Sequence, residues 1–335
     1  MTGSPILEVE HLSVGYMTAR GLATAVDDVS FTILENEIVG IVGESGCGKS
    51  TLANAVMRLL GPGAYVTGGK IKVLGQDIYR MRERALQQFR WTKMSMVFQS
   101  AMNVLNPVKT VGSHFVDTLS THIPGISKEE ANHRAEELLR LVQIDPARLS
   151  SYPHQLSGGM RQRVVIALAI SLEPRFVIMD EPTTALDVVV QRSILEKILE
   201  LQDRLGFSVL FISHDLNLVG SLSNRVGVMY AGRLIEMGTS SAASAANAAN
   251  AVHHPYTQGL INAVPKLVVG EHHIVGIPGA PPSPFKIPTG CPFHPRCMYT
   301  RPECRTDKPA AVVLGGTQVE CHLTEAELRS QSHVY

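Results

Sequence analysis

The octapeptide Gly43-Glu44-Ser45-Gly46-Cys47-Gly48-Lys49-Ser50 follows the apolar run Ile38 to Val42 and precedes a segment with Leu52 and Val56 at helical spacing. Strand, glycine-rich turn and helix in that order make the first unit of an α/β fold. Glycines let successive backbone N–H groups turn inward around phosphate oxygens, and a helix N-terminus adds donors and a favourable dipole. The pattern marks Gly43, Ser45, Gly46, Cys47, Gly48, Lys49, Ser50 and Thr51 as a phosphate loop. Lys49 is expected to reach the β and γ phosphates of a nucleoside triphosphate, and the Ser50 hydroxyl to help hold Mg2+. Cys47 sits at a wildcard position and needs no chemistry of its own.

Triphosphate hydrolysis also needs a carboxylate at the end of another strand. Phe176-Val177-Ile178-Met179 leads into Asp180-Glu181, and acids at the end of so apolar a run require a cation or charge-assisted bonds. Asp180 is placed to hold Mg2+ through its water shell, and Glu181 to take a proton from attacking water. A third segment, Leu156-Ser157-Gly158-Gly159-Met160-Arg161-Gln162-Arg163, is a polar, glycine-containing entry into a helix. It too suits phosphate. Since the chain already has one such loop, Ser157, Gly158 and Gly159 are expected to bind nucleotide held by another chain.

The rest of the chain is consistent with alternating strands and helices around a largely parallel sheet. Strands are expected at residues 7–9, 29–34, 38–42, 70–74, 176–179 and 208–212. Residues 80–170 read as mostly helical, including 128–143 and 161–171, and a further helix is expected at 188–205. Residues 225–230 and 233–237 form a hairpin pattern around Ala231-Gly232. Residues 239–251 are almost only Ser, Ala and Asn, a helix or a surface connection. Residues 278–284 are proline-rich and read as an extended surface strap. With 335 residues, 30 Lys plus Arg and 30 Asp plus Glu, no basic field points to nucleic acid as a partner. No apolar run is long enough to span a bilayer and the N-terminus lacks a leader pattern, so a cytosolic location is expected.

These motifs, in this order, make residues 6–240 resemble the ATP-binding cassette family, with Leu156 to Gln162 similar to its signature sequence. The resemblance implies a P-loop fold with an antiparallel β subdomain and a helical subdomain at about 100–165. It implies that Tyr16 stacks on adenine and that Gln99 senses Mg2+ and the transport subunit. Leu186 and Asp187 resemble the loop that crosses the cassette dimer, and His214 the switch histidine at the γ phosphate. Two cassettes would then face head to tail around ATP, with Lys49 of one opposite Ser157 of the other. The residues alone leave open a soluble cassette ATPase in DNA repair or translation, a phosphate-binding regulatory module and outward transport.

Cys291, Cys297, Cys304 and Cys321 cluster in the C-terminal part, residues 241–335. Four thiolates can hold zinc or a 4Fe-4S cluster, and the spacing matches neither the common zinc pairs nor bacterial ferredoxins. Disulfides, in three possible pairings, and unligated buried cysteines are the other readings. His294 and His322 lie beside these cysteines. The segments His254-Pro255-Tyr256-Thr257, Leu105-Asn106-Pro107 and the strap resemble the ATPase subunits of bacterial dipeptide and oligopeptide importers. That resemblance favours a structural 4Fe-4S cluster over Zn2+. It also implies a paralogous second ATPase, two transmembrane permeases, an extracytoplasmic solute-binding protein and a place on the cytoplasmic face of the membrane. An importer of nickel or another small solute is the alternative.

Overall fold

The computed structural model describes residues 3–19, 21–99, 104–184, 186–240, 252–263 and 276–330. The Ser/Ala/Asn-rich connection falls, from residue 241 on, outside the described residues. In chain order the strands are β1 (Pro5–Thr18), β2 (Gly21–Leu34), β3 (Ile38–Val42), β4 (Ala64–Val73), β5 (Gln76–Asp77) and β6 (Met94–Val97). They continue as β7 (Phe176–Asp180), β8 (Ser208–Ile212), β9 (Arg225–Tyr230), β10 (Arg233–Thr239), β11 (Ala311–Leu314) and β12 (Thr317–Glu320). The helices are α1 (Lys49–Val56), α2 (Glu83–Thr92), α3 (Val111–His122), α4 (Lys128–Leu141) and α5 (Gly158–Ala169). After these come α6 (Val188–Leu205), α7 (Leu216–Leu222), α8 (Pro255–Asn262), α9 (Glu303–Thr306) and α10 (Glu325–Ser330).

The chain divides into two compact units, one of residues 1–7, 33–37 and 72–210, the other of residues 8–32, 38–71 and 211–335. In the first, β6 and β7 pair in parallel with Met94 opposite Phe176 and Val97 opposite Met179. Every residue of both strands is buried, as befits strands covered on both faces. Residues 80–170 are mostly helical, as expected, with β6 set among the helices. The four residues of β6 are too few to show a period that sets them apart from the helices around them. Helix α4 starts at a capping box in which Ser127 and Glu130 satisfy each other's backbone donors. It buries Ala131, Ala135, Leu138 and Leu139 on one face and packs on α3. Asp187 caps α6, accepting from Val190 N at 2.9 Å, and Gly206 at φ 69° ends it.

In the second unit β3 pairs in parallel with β9, Val39 opposite Arg225 through Val42 opposite Val228. The β9–β10 hairpin turns on Ala231 and Gly232, both at positive φ, the requirement of a two-residue primed turn. Strand β10 also pairs antiparallel with β12, Glu236 opposite Val319, and β12 with β11 through Gly315-Gly316. The strand order of this unit is β11-β12-β10-β9-β3. The C-terminal residues thus continue the sheet that carries the phosphate loop, rather than forming a segment without a core. Arg233, 7% exposed, fixes the join: its Nε donates to Glu320 at 2.8 Å and its Nη1 to Asp27 at 3.3 Å. Burial pushes the Glu320 carboxyl up, against the opposing pull of Arg233.

Candidate functional site

Strand β3 is buried along its whole length and delivers the chain into the glycine-rich loop. Gly43, Gly46 and Gly48 have φ of 153°, 80° and 108°, conformations that L side chains rarely adopt. A Cβ on Gly43 would lie 2.2 Å from the Met229 carbonyl oxygen, and one on Gly48 2.2 Å from that of Ala25. The loop is thus seated against the backbone of β9 and β2, and Gly232 N donates to Cys47 O at 2.9 Å. Gly48 is the N-cap of α1, and no side chain caps that helix start. Lys49, 5% exposed, donates from Nζ to Gly43 O at 2.7 Å and Glu44 O at 3.0 Å. Burial pushes the Cys47 thiol up, with Lys49 pulling the other way.

Ser45 and Gly46 are exposed on this loop, and Ser50 and Thr51 are half-buried in the first turn of α1. Tyr16, half-buried on β1, shares a hydrogen bond of 3.1 Å with the Thr51 hydroxyl. His214 is exposed one residue after Ser213, whose N–H donates to Ile41 O at 3.1 Å. The second unit therefore brings Tyr16, the loop and the start of the His214 segment to the β3 end.

In the first unit Asp180 closes β7 with only 3% of its surface exposed. Glu181 follows at φ 45°, a strained backbone state for a non-glycine residue. Its Oε2 accepts from Gln99 Nε2 at 2.9 Å and from Thr184 Oγ1 at 2.9 Å. Gln99 and Glu181, 82 residues apart in sequence, are thus brought together, and Thr184 is a partner the sequence reading did not single out. Ser157 is the N-cap of α5, accepting from Met160 N at 3.3 Å. Gly159 permits a close approach, since a Cβ there would lie 2.6 Å from Val190 Cγ1. Gly158, Ser157 and Asp187 accordingly stand at the starts of two helices, α5 and α6, that pack on each other.

A second set of contacts escaped the sequence reading. Glu44, a wildcard of the loop, accepts two hydrogen bonds from Arg296, from Nη1 at 2.7 Å and from Nη2 at 3.0 Å. Its N–H donates to Tyr256 Oη at 3.0 Å. Tyr256, on α8, packs with Tyr230 and Phe293, ring centroids 4.7 and 5.4 Å away. His254 caps α8 by accepting from Tyr256 N at 3.1 Å through Nδ1, and its own N–H donates to Glu236 Oε2 at 2.6 Å. Burial pushes the His254 imidazole down to about 4, against the charge of Glu236.

The cysteine expectation is corrected. Cys291, Cys297, Cys304 and Cys321 are free thiols. Among the described residues no group of three or more His, Cys, Asp or Glu is arranged to hold a metal ion, so neither a 4Fe-4S cluster nor Zn2+ is supported, and the metal-binding reading of these four positions falls. Burial pushes Cys297 up to about 12 and Cys321 up to about 11, and Cys291 upward as well. One of the four lies against a small apolar core: Cys321 and Tyr299 pack on Val252, Val319, Leu323 and Leu328. His294 Nδ1 is engaged with Cys291 O and His322 Nε2 with Asp307 O. No described helix is long and apolar enough to cross a membrane.

Comparison with known proteins agrees with this geometry. The family described as ABC transporter matches residues 26–184, and the oligopeptide/dipeptide transporter C-terminal region matches residues 242–304. A dipeptide transport ATP-binding protein DppD of Caldanaerobacter subterraneus is 41% identical, covering 96% of this chain and 98% of its own. The DppD of Escherichia coli is 41% identical, covering 95% and 96%. Among solved structures, the ATP-binding cassette MJ0796, a dimer in a post-hydrolysis state bound to ADP and Pi, superposes with a TM-score of 0.63 at 27% identity over 70% of this chain and 98% of that one. The chain belongs to the ATP-binding subunits of ABC transporters, in the group that carries the oligopeptide/dipeptide transporter C-terminal region.

Proposed function

We propose that this chain is the ATP-hydrolysing subunit that energises uptake of dipeptides or oligopeptides. It works as one of two cassettes on the inner face of the membrane, beneath permease subunits served by an extracytoplasmic solute-binding protein. The observation that carries the hydrolytic reading is Glu181, a carboxylate at the end of a buried strand with Oε2 held by Gln99 and Thr184. A carboxylate so oriented suits a general base for attacking water, and its link to Gln99 suits a residue that reports on the transport partner. The peptide class is supported by the dipeptide transport function of the relatives and by the matched C-terminal region.

The remaining roles follow residue by residue. The loop Gly43 to Gly48 and the N-terminus of α1 take the phosphates, with Lys49 as their cation. Ser50 and the buried Asp180 would hold Mg2+, which supplies charge neutralisation at the phosphates when bound; a buried carboxylate at the end of an apolar strand has the right chemistry for that duty. Tyr16 offers a ring face to adenine, and His214 a donor to the last phosphate. Ser157, Gly158, Gly159 and Asp187 serve the facing cassette. Residues 241–335 are an extension of the nucleotide-binding part, residues 1–240. Replacing Glu181 by Gln keeps ATP binding and suppresses steady-state turnover; hydrolysis close to wild type would overturn the assignment.

A further inference from the structure

We infer that the C-terminal extension sets the phosphate loop for nucleotide through one side chain, Arg296, acting on Glu44; this rests on the reading of the loop as the ATP site. The two residues lie 252 apart in sequence, and nothing in the motif itself asks for an acid at Glu44. Left alone, a carboxylate at the second position of a phosphate loop would repel the triphosphate and leave the loop free to sample other shapes. Arg296 removes both problems. Its planar fork takes both carboxylate oxygens, at 2.7 and 3.0 Å, the bidentate arrangement that adds direction to charge pairing.

The fork is itself held from behind. Arg296 Nε donates to Pro278 O at 2.8 Å, so the proline-rich strap fixes the plane of the guanidinium, and Phe293 and Tyr230 flank it with ring centroids 6.0 and 5.8 Å from Cζ. The Arg296 side chain is only 6% exposed and that of Glu44 27%, so the pair is poorly screened. Tyr256 accepts the Glu44 N–H in the same place. Side chain and backbone of one loop residue are thereby both held by residues of the C-terminal extension. Arg296 touches no reacting atom; it is a positioning residue, acting through Glu44 on the donors that meet phosphate.

The test is equilibrium ATP titration and steady-state hydrolysis with the purified full-length protein, comparing wild type with Arg296→Met, Arg296→Lys, Glu44→Gln and the double variant Arg296→Met/Glu44→Gln. Melting curves are recorded alongside. Arg296→Met, which exposes the loop to an unpaired Glu44 carboxylate, raises the Kd and KM for ATP about tenfold, with a smaller change in kcat. Arg296→Lys, which keeps charge and loses the fork, falls between. Removing the offending charge in the double variant restores affinity to that of Glu44→Gln, a rescue that a purely structural role for Arg296 would not produce. Unchanged ATP affinity in Arg296→Met, or a double variant as weak as Arg296→Met itself, would overturn the inference. Should Arg296→Met fail to fold, Arg296→Lys decides alone: affinity equal to wild type overturns it. Absence of ATP binding by the wild-type chain would instead refute the reading of the site.

Discussion

Acid should loosen the C-terminal extension through one imidazole. His254 is 1% exposed, accepts the Tyr256 N–H on Nδ1 and so carries its proton on Nε2, which has no hydrogen-bond partner. Burial holds its folded value at about 4 against an ordinary 6.5. Because the folded protein keeps this ring neutral while the unfolded chain protonates it, acid favours unfolding. The stabilisation is complete above about 6.5 and is lost as pH falls toward 4. Linkage with these two values removes about 2 kcal/mol between about pH 7 and about pH 5. Asn at this position can still accept the cap bond and does not titrate. Urea unfolding of the full chain at both pH values measures the effect: the wild-type loss exceeds that of His254→Asn by about 2 kcal/mol. Equal losses in the two proteins would refute the argument that a buried neutral His254 couples the extension to pH.

Two further outcomes follow from the same accounting of buried charge and held carboxylates. Arg233→Met leaves the buried Glu320 without its cation, while Asp27 keeps Lys308, and should cost roughly 3–5 kcal/mol in urea unfolding, with hydrogen exchange in β11 and β12 rising first. Glu181→Gln should lower turnover by about 10²–10⁴ with ATP affinity retained, read by phosphate release alongside nucleotide titration.

Much of the framework is legible because local pattern and tertiary environment agree. Strands β3 and β8 and helix α6 have the bounds the apolar runs and caps suggest, and the Ala231-Gly232 turn is where the hairpin pattern puts it. Motif order alone identifies the loop, the acidic strand end and the Ser157 cap. Strand β6 is hidden because four buried residues carry no period. Strands β11 and β12 flank Gly315-Gly316, a hairpin signal overshadowed by the nearby cysteines. Those cysteines misled because spacing along a chain says nothing of where sulfurs point; Cys321 packs on a small apolar core, and among the described residues the thiols form no ligand set. The Glu44–Arg296 and Gln99–Glu181 contacts join residues 252 and 82 apart. No local pattern encodes such pairs, and only the folded chain reveals them.

The most direct measurement is uptake of a radiolabelled dipeptide into vesicles holding the full membrane complex, with this chain wild type or carrying Glu181→Gln. The account predicts peptide accumulation that requires ATP and is abolished by the variant. Transport of nickel in place of peptide, or peptide uptake indifferent to the loss of Glu181, would contradict it.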